Sequence, residues 1–120
     1  MNIRKLQKAV VAALEDIKAR DIEIYDVKHL TSMFDRVVIA TAGSARQSRS
    51  LARSVHDKAR ELGVRVIGLE GDDTGEWVLV DLGDIVVHIM LPAVRTHYNL
   101  EELWNQPKTT ASRKRTTLAA

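Results

Sequence analysis

The chain has 120 residues, of which 45% are hydrophobic and 28% are charged, and it contains no cysteine. This composition is typical of a soluble globular protein, and the length fits a single domain. The lack of cysteine excludes disulfides, thiolate metal sites and cysteine nucleophiles. No apolar run reaches the roughly 18 residues of a membrane span. The N-terminus has no signal or transit pattern, so we expect a cytoplasmic protein.

The charge is unevenly distributed along the chain. Residues 1–104 carry 14 basic and 16 acidic side chains, whereas residues 105–120 carry four basic side chains and no acidic one. We therefore expect a folded domain over residues 1–104 and a basic, disordered tail over residues 105–120. Such a tail either contacts an anionic surface or only aids solubility, and the charge pattern leaves both readings open.

The first third of the chain predicts one helix and two strands. Apolar residues spaced by three and four predict a helix from about residue 3 to residue 20. Strands follow over residues 22–27 and 36–41. The second strand contains the continuous apolar run Val37-Val38-Ile39-Ala40. Such a run indicates a strand covered on both faces, in the interior of the sheet.

A capping box marks the second predicted helix. Ser44 and Gln47 have the S-x-x-Q spacing of this motif, and Gly63 is the expected stop after Leu62. Its apolar residues lie on one face, and four arginines lie on the opposite face: Arg46, Arg49, Arg53 and Arg60. These arginines form either a solvated face, which the charge pattern favours, or a surface for RNA phosphates.

The second half of the chain predicts three strands and a final helical region. The strands cover residues 64–69, 76–82 and 85–91, and a helical region over residues 93–104 follows. Gly83-Asp84 between the last two strands is a hairpin signal. We therefore predict an α/β fold with a mixed sheet of about five strands flanked by helices. The unit over residues 36–69 should be a right-handed crossover between parallel strands.

The predicted hairpin places its side chains on two faces. A turn at Gly83-Asp84 pairs residues 82 with 85, 80 with 87 and 78 with 89, and these six apolar side chains should face the helices. The other face carries Trp77, Leu79, Asp81, Val86, His88 and Met90. Tryptophan and methionine are enriched in protein interfaces, so this face either docks a partner or is covered by another helix.

Catalytic and metal-binding patterns are weak. The four histidines have no metal-ligand spacing, and no nucleophile, base and oxyanion donor come together. Gly43-Ser44 before a helix is a weak phosphate site, and Asp81 with Asp84 is a weak metal site. We therefore expect no cofactor, no metal and no enzymatic activity.

Long motifs in this chain resemble those of the ribosomal silencing factor family, also called the Iojap family. The strongest stretch is Glu70-Gly71 followed by residues 77–88, WVLVDLGDIVVH, and then Arg95, Tyr98, Leu100-Glu101 and Leu103-Trp104. The region from Asp35 to Ser44 is also similar, although its glycine is displaced by one position. Gln47 stands where many members have histidine.

The resemblance implies a nucleotidyltransferase-like topology without enzymatic activity. It also implies binding to the large ribosomal subunit through its protein fourteen, which blocks association with the small subunit and represses translation when nutrients are scarce. The implied contact residues are Trp77, Asp81, Leu82, His88, Met90, Arg95 and Tyr98. The basic tail would then contact ribosomal RNA, and the apolar sheet face would allow a homodimer. The alternative is a nucleotidyltransferase-like enzyme that uses Gly43-Ser44 and Asp81/Asp84.

Overall fold

The computed structural model describes residues 2–104, which form one mixed sheet with helices packed on both faces. In chain order the elements are α1 (Ile3–Asp16), β1 (Arg20–Asp26), β2 (Arg36–Thr41), α2 (Ala45–Glu61), β3 (Gly68–Glu70), β4 (Trp77–Asp81), β5 (Ile85–Met90), α3 (Pro92–Tyr98) and α4 (Leu100–Trp104). The predicted α/β class is confirmed, as is the five-stranded mixed sheet. The predicted tail, residues 105–120, lies outside the described residues, and no helix within residues 2–104 has the length and apolar character of a membrane span.

The first helix ends four residues earlier than its apolar spacing predicts. The helix stops at Asp16, because Lys18 takes the left-handed conformation with φ of 67°. The Lys18 N–H donates to the Glu15 carbonyl, and the Ala19 N–H donates to the Leu14 carbonyl, both at 3.0 Å. This pair of hydrogen bonds is a Schellman motif, which glycine usually makes. A lysine at this position carries no such signal, so the prediction of a helix to residue 20 was wrong.

The strand order places the predicted interior strand, β2, inside the sheet and not at its edge. The order is β1-β2-β5-β4-β3, with β2 and β5 parallel and the other neighbours antiparallel. β2 therefore lies between two strands, and five of its six residues are buried. It follows that β2 and β3 run in the same direction, as the predicted crossover requires, with β5 and β4 between them.

The third strand is shorter than predicted. Only Gly68–Glu70 pairs with β4, although residues 64–69 read as one strand. Val64 and Val66 nevertheless pack against the core, while Ile67 is 62% exposed. The segment 64–67 thus connects α2 to β3, and its apolar alternation reflects packing of Val64 and Val66 on the core. It touches the ladder only at its end, where the Ile67 N–H donates to the Asp81 carbonyl at 2.8 Å.

The hairpin register matches the prediction at every pair of the ladder. Trp77 pairs with Met90, Val78 with Ile89, Leu79 with His88, Val80 with Val87, and Asp81 with Val86. The Leu82 N–H donates to the Ile85 carbonyl at 2.9 Å and closes the turn, in which Gly83 has φ of 89°. The six side chains predicted to face the helices all belong to the buried cluster that α1 and α2 cover.

The side chain of Gln47 links the start of α2 to the end of α1 by hydrogen bonds. The Ser44 hydroxyl accepts a hydrogen bond from the Gln47 N–H at 3.1 Å, as the capping box predicts. The Gln47 side chain, however, accepts from the Gly43 N–H at 2.6 Å instead of the Ser44 N–H. Its amide group donates to the carbonyls of Ile17 and Lys18, which end the first helix. The start of α2 is therefore fixed against the end of α1.

Candidate protein-docking surface

The sheet face opposite α1 and α2 is divided into a covered half and an open half. Val37, Ile39 and Met90 are fully buried on the covered half, where Phe34 and Val94 pack on them. Of the two alternatives for this face, covering by another element holds for Met90, whose side chain is fully buried although the family resemblance implied a contact residue. Toward β4 and β3 the same face is only partly covered.

Six residues define the open half, which we call the Trp77 surface. Leu79 pairs with His88 on one side and with Glu70 on the other, so the three lie on the same face of the sheet. The set is Glu70, Trp77, Leu79, Asp81, His88 and Tyr98. Glu70 was absent from the predicted contact residues, although its pairing with Leu79 would have placed it there once the length of β3 was known.

Trp77 is held in one orientation by its contacts with His88 and Tyr98. Its indole Nε1–H donates to Nδ1 of His88 at 3.0 Å. The Tyr98 ring packs on the indole as well, with the two ring centroids 5.0 Å apart and the ring planes inclined at 48°. The indole also packs against the cluster that contains Met90. Because its polar atom is satisfied and its ring is only half-buried, Trp77 presents a rigid apolar surface.

Burial lowers the pKa of His88 to about 4, from the ordinary value of 6.5. The imidazole is therefore neutral at pH 7. Since Nδ1 accepts the indole hydrogen bond, the ring hydrogen belongs on Nε2. Protonation of Nδ1 would remove the acceptor that orients Trp77.

Acidification is expected to destabilise the protein through His88. The unfolded chain takes up this proton near pH 6.5, but the folded state resists it to about pH 4. Stability therefore falls as the pH drops through this window, by at most about 3 kcal/mol. Thermal denaturation at pH 7 and pH 4.5 should show a smaller pH dependence in His88→Gln than in the wild type. An unchanged pH dependence in a folded His88→Gln protein would contradict the assignment.

The hairpin tip contains Asp81 and Leu82 in different environments. Asp81 is half-buried, and its Oδ1 accepts the Gly83 N–H at 2.9 Å. This bond shapes the turn and leaves the second carboxylate oxygen for a partner. Leu82 is 4% exposed and packs on the helix side. Of these two predicted contact residues, Asp81 therefore has an accessible carboxylate, whereas the Leu82 side chain is buried.

Arg95 sets the position of α3 and, through it, of Tyr98. Its guanidinium NH1 donates to the Asp21 carbonyl at 2.6 Å and to the Thr41 hydroxyl at 2.7 Å. NH2 lies 3.8 Å from the Glu23 carboxylate. Arg95 is buried, whereas Tyr98 is 56% exposed one turn later on the same helix. Arg95 therefore supports the surface from beneath, because it ties α3 to β1 and β2.

The loop before β4 holds the backbone that leads into Trp77 in one conformation. Gly71 has φ of 86°, and a Cβ there would lie 2.0 Å from the Trp77 carbonyl oxygen. On the other side of the loop, the Arg49 guanidinium donates to the carbonyls of Asp72 and Asp73 at 2.7 and 2.8 Å. The Glu70-Gly71 pair in the sequence is thus explained by a close backbone approach that only glycine permits.

The two halves of the nucleotide site that the alternative enzyme would need lie at opposite ends of the sheet. Ser44 lies just beyond Thr41, the last residue of β2, whereas the Asp84 carbonyl accepts hydrogen bonds from the N–H groups of Asp35 and Arg36, where β2 begins. These ends are roughly 16 Å apart along the strand. The Gly43 N–H is also taken by the Gln47 side chain. No group of three or more metal-binding side chains exists among residues 2–104, so the geometry does not join these residues into one site.

The fold and the Trp77 surface define a class: a small α/β domain with a preorganised, half-exposed aromatic cluster on one sheet face. The family described as "Ribosomal silencing factor during starvation" matches residues 1–119. A ribosomal silencing factor of Chromobacterium violaceum is 52% identical, over 90% of this chain and 88% of the relative. A crystal structure of a C. violaceum protein superposes with a TM-score of 0.85 at 51% identity, covering 89% of this chain and 91% of that chain.

The chain belongs to the ribosomal silencing factor family, which includes the Iojap proteins. These relatives are named as regulators rather than enzymes. A more distant relative, the mouse protein named "Mitochondrial assembly of ribosomal large subunit protein 1", is 33% identical over 79% of this chain. The match spans 43% of the length of that mouse protein.

Proposed function

We propose that this protein represses translation by binding the large ribosomal subunit and blocking its association with the small subunit. The docking site on the subunit is its protein fourteen, and the docking site on this chain is the Trp77 surface. Family membership supports the ribosomal partner, and the name of the mouse relative supports the large subunit. The nutrient limitation under which this would matter agrees with the family description.

The observation that carries the proposal is the orientation of Trp77. A tryptophan fixed by His88 and Tyr98 loses little side-chain freedom on binding, so more of its buried area contributes to affinity. Tryptophan and tyrosine are also the residue types most enriched among interface hot spots. The cluster therefore has the composition and the rigidity of a protein-docking anchor.

The predicted contact residues then have two different roles. Trp77, Asp81, His88 and Tyr98 reach the surface and would contact the ribosomal protein. The other three, Leu82, Met90 and Arg95, are buried and would support those contacts from beneath. Blocking would be steric, because a folded domain on the face that meets the small subunit fills the space that the small subunit needs.

A subunit-joining assay tests the proposal. The full-length chain is incubated with isolated large subunits, small subunits are added, and the products are separated by sedimentation. The protein should sediment with large subunits, not with small ones, and the joined fraction should fall as occupancy rises. If the protein stays in the supernatant, the proposal fails. If it binds without reducing joining, the steric mechanism fails.

The tail and self-association complete the proposed mode of action. Lys108, Arg113, Lys114 and Arg115 in residues 105–120 would add salt-sensitive attraction to ribosomal RNA. A second copy of the chain would cover the same apolar surface in a homodimer when no subunit is available. The dimer and the subunit complex would then exclude each other.

A further inference from the structure

A second surface, on the opposite side of the sheet, carries an open groove of about 550 Å³. One wall is the outer side of α2, and the other includes Leu69 and Asp72. Four arginines line the helix wall, and all are exposed: Arg46, Arg49, Arg53 and Arg60. From the first to the last of them, the helix rises about 21 Å.

Most of the positive charge in this groove is unpaired. The Arg49 guanidinium donates to two loop carbonyls, but the side chains of Arg46, Arg53 and Arg60 form no hydrogen bond or ion pair within residues 2–104. Arg46 lies in the first turn of α2, which contains no acidic residue. The helix dipole disfavours a cation there. The guanidinium groups of Arg46, Arg53 and Arg60 are therefore exposed and available to an anionic partner.

The acidic residues of the groove compensate only part of this charge. Asp57 and Asp72 are its two carboxylates, against four arginines. Asp57 lies 3.3 Å from Nδ1 of His56. The groove is thus an elongated basic channel rather than a mixed salt-bridge network.

The chemistry of the groove suits a nucleic-acid strand. Guanidinium groups bind phosphate oxygens with two parallel hydrogen bonds and also stack on bases. His56 on the helix wall and Leu69 on the opposite wall add a planar and an apolar side chain to the groove, against which a base can pack. A lipid surface would instead require a flat face with apolar residues to insert.

The geometry points to this arginine groove as a binding site for the phosphate backbone of single-stranded RNA. The choice of RNA over DNA rests on family membership, because a ribosomal factor works beside RNA. The proposal does not depend on the Trp77 surface. α2 packs on the sheet face formed by Val78, Val80 and their neighbours, so the groove and the Trp77 surface can be occupied at the same time.

The test compares two full-length variants that lose the same charge. Arg46→Gln/Arg53→Gln/Arg60→Gln neutralises the groove, whereas Arg4→Gln/Lys5→Gln/Lys8→Gln removes three exposed charges from α1. A fluorescent oligouridylate of about 20 nucleotides is titrated with each variant across a salt series. Thermal denaturation shows whether each variant is folded. If the triple groove variant is unfolded, the single variant Arg53→Gln takes its place.

The groove variant should lose at least about tenfold in affinity at low salt, and the slope of log K against log salt should flatten by about 2. The α1 variant should follow the wild type, and Asp57→Asn should bind more tightly. Equal losses in the two triple variants would overturn the proposal, since only net charge would then matter. Wild-type binding by the groove variant, or binding to phosphatidylserine vesicles but not to RNA, would overturn it as well.

Discussion

Replacing Trp77 by alanine is expected to weaken binding to the large ribosomal subunit by about 30-fold or more, equivalent to about 2 kcal/mol. The indole supplies the exposed apolar area at the centre of the Trp77 surface, and its removal also leaves His88 Nδ1 without its donor. Tyr98 loses its ring partner at the same time. Sedimentation with isolated large subunits over a range of protein concentrations measures the change.

Two control variants show whether this loss of affinity comes from misfolding or from the removal of any exposed apolar side chain. Trp77→Phe keeps a ring against Tyr98 but lacks the N–H that binds His88, so its affinity should fall between those of the wild type and the alanine variant. Met33→Ala truncates a side chain that is 80% exposed and lies outside the Trp77 surface, so it should bind as the wild type does. If a folded Trp77→Ala protein sediments with the subunit at wild-type affinity, the contact lies elsewhere on the chain.

Replacing Arg95 by methionine is expected to destabilise the fold by about 3 kcal/mol. The substitution leaves the buried Thr41 hydroxyl and the Asp21 carbonyl without their charged donor. Hydrogen bonds to charged groups are worth roughly 1.5–3 kcal/mol each when one partner is removed. For a domain of this size the melting temperature should fall by about 12–20 °C, which calorimetry or circular dichroism can measure.

A second readout shows whether Arg95 also positions the Trp77 surface. At a temperature where the methionine variant is folded, subunit binding should still weaken, because α3 loses its tie to β1 and Tyr98 is displaced. Thr41→Val removes one acceptor but leaves the guanidinium on Asp21, so its loss of stability should be smaller, about 1 kcal/mol. An Arg95→Met protein that melts within a few degrees of the wild type would show that these hydrogen bonds do not hold α3.

Local sequence patterns predicted those elements whose geometry depends on residues close by in the sequence. The Gly83-Asp84 turn and the alternation of apolar side chains together fix the register, since a slip of one residue would reverse both faces. The end of α1 could not be predicted in this way. Lys18 adopts a positive φ, and the carbonyls of Ile17 and Lys18 are bound by Gln47, which lies far along the chain.

The candidate site was only partly predictable for the same reason. Alternation along β4 and β5 identified Trp77 and placed Met90 on its face, but the packing of α3 over Met90 depends on tertiary structure. Tyr98 entered only through the family resemblance, because no local pattern links it to Trp77. An arginine between Val94 and Tyr98 reads as a surface residue, and only the approach of Thr41 and Asp21 explains its burial.

The strand order also determines when the chain can fold. β5 is the middle strand of the sheet, yet among the strands it is the last to be synthesised. Until residues 85–90 are present, β2 has no neighbour on one side, and the hairpin that joins β4 to β2 does not exist. Pairing between such distant segments is slow, because a long loop must close first. During synthesis the sheet therefore cannot be completed until β5 has been made, and Trp77 gains its contacts with His88 and Tyr98 only after that point.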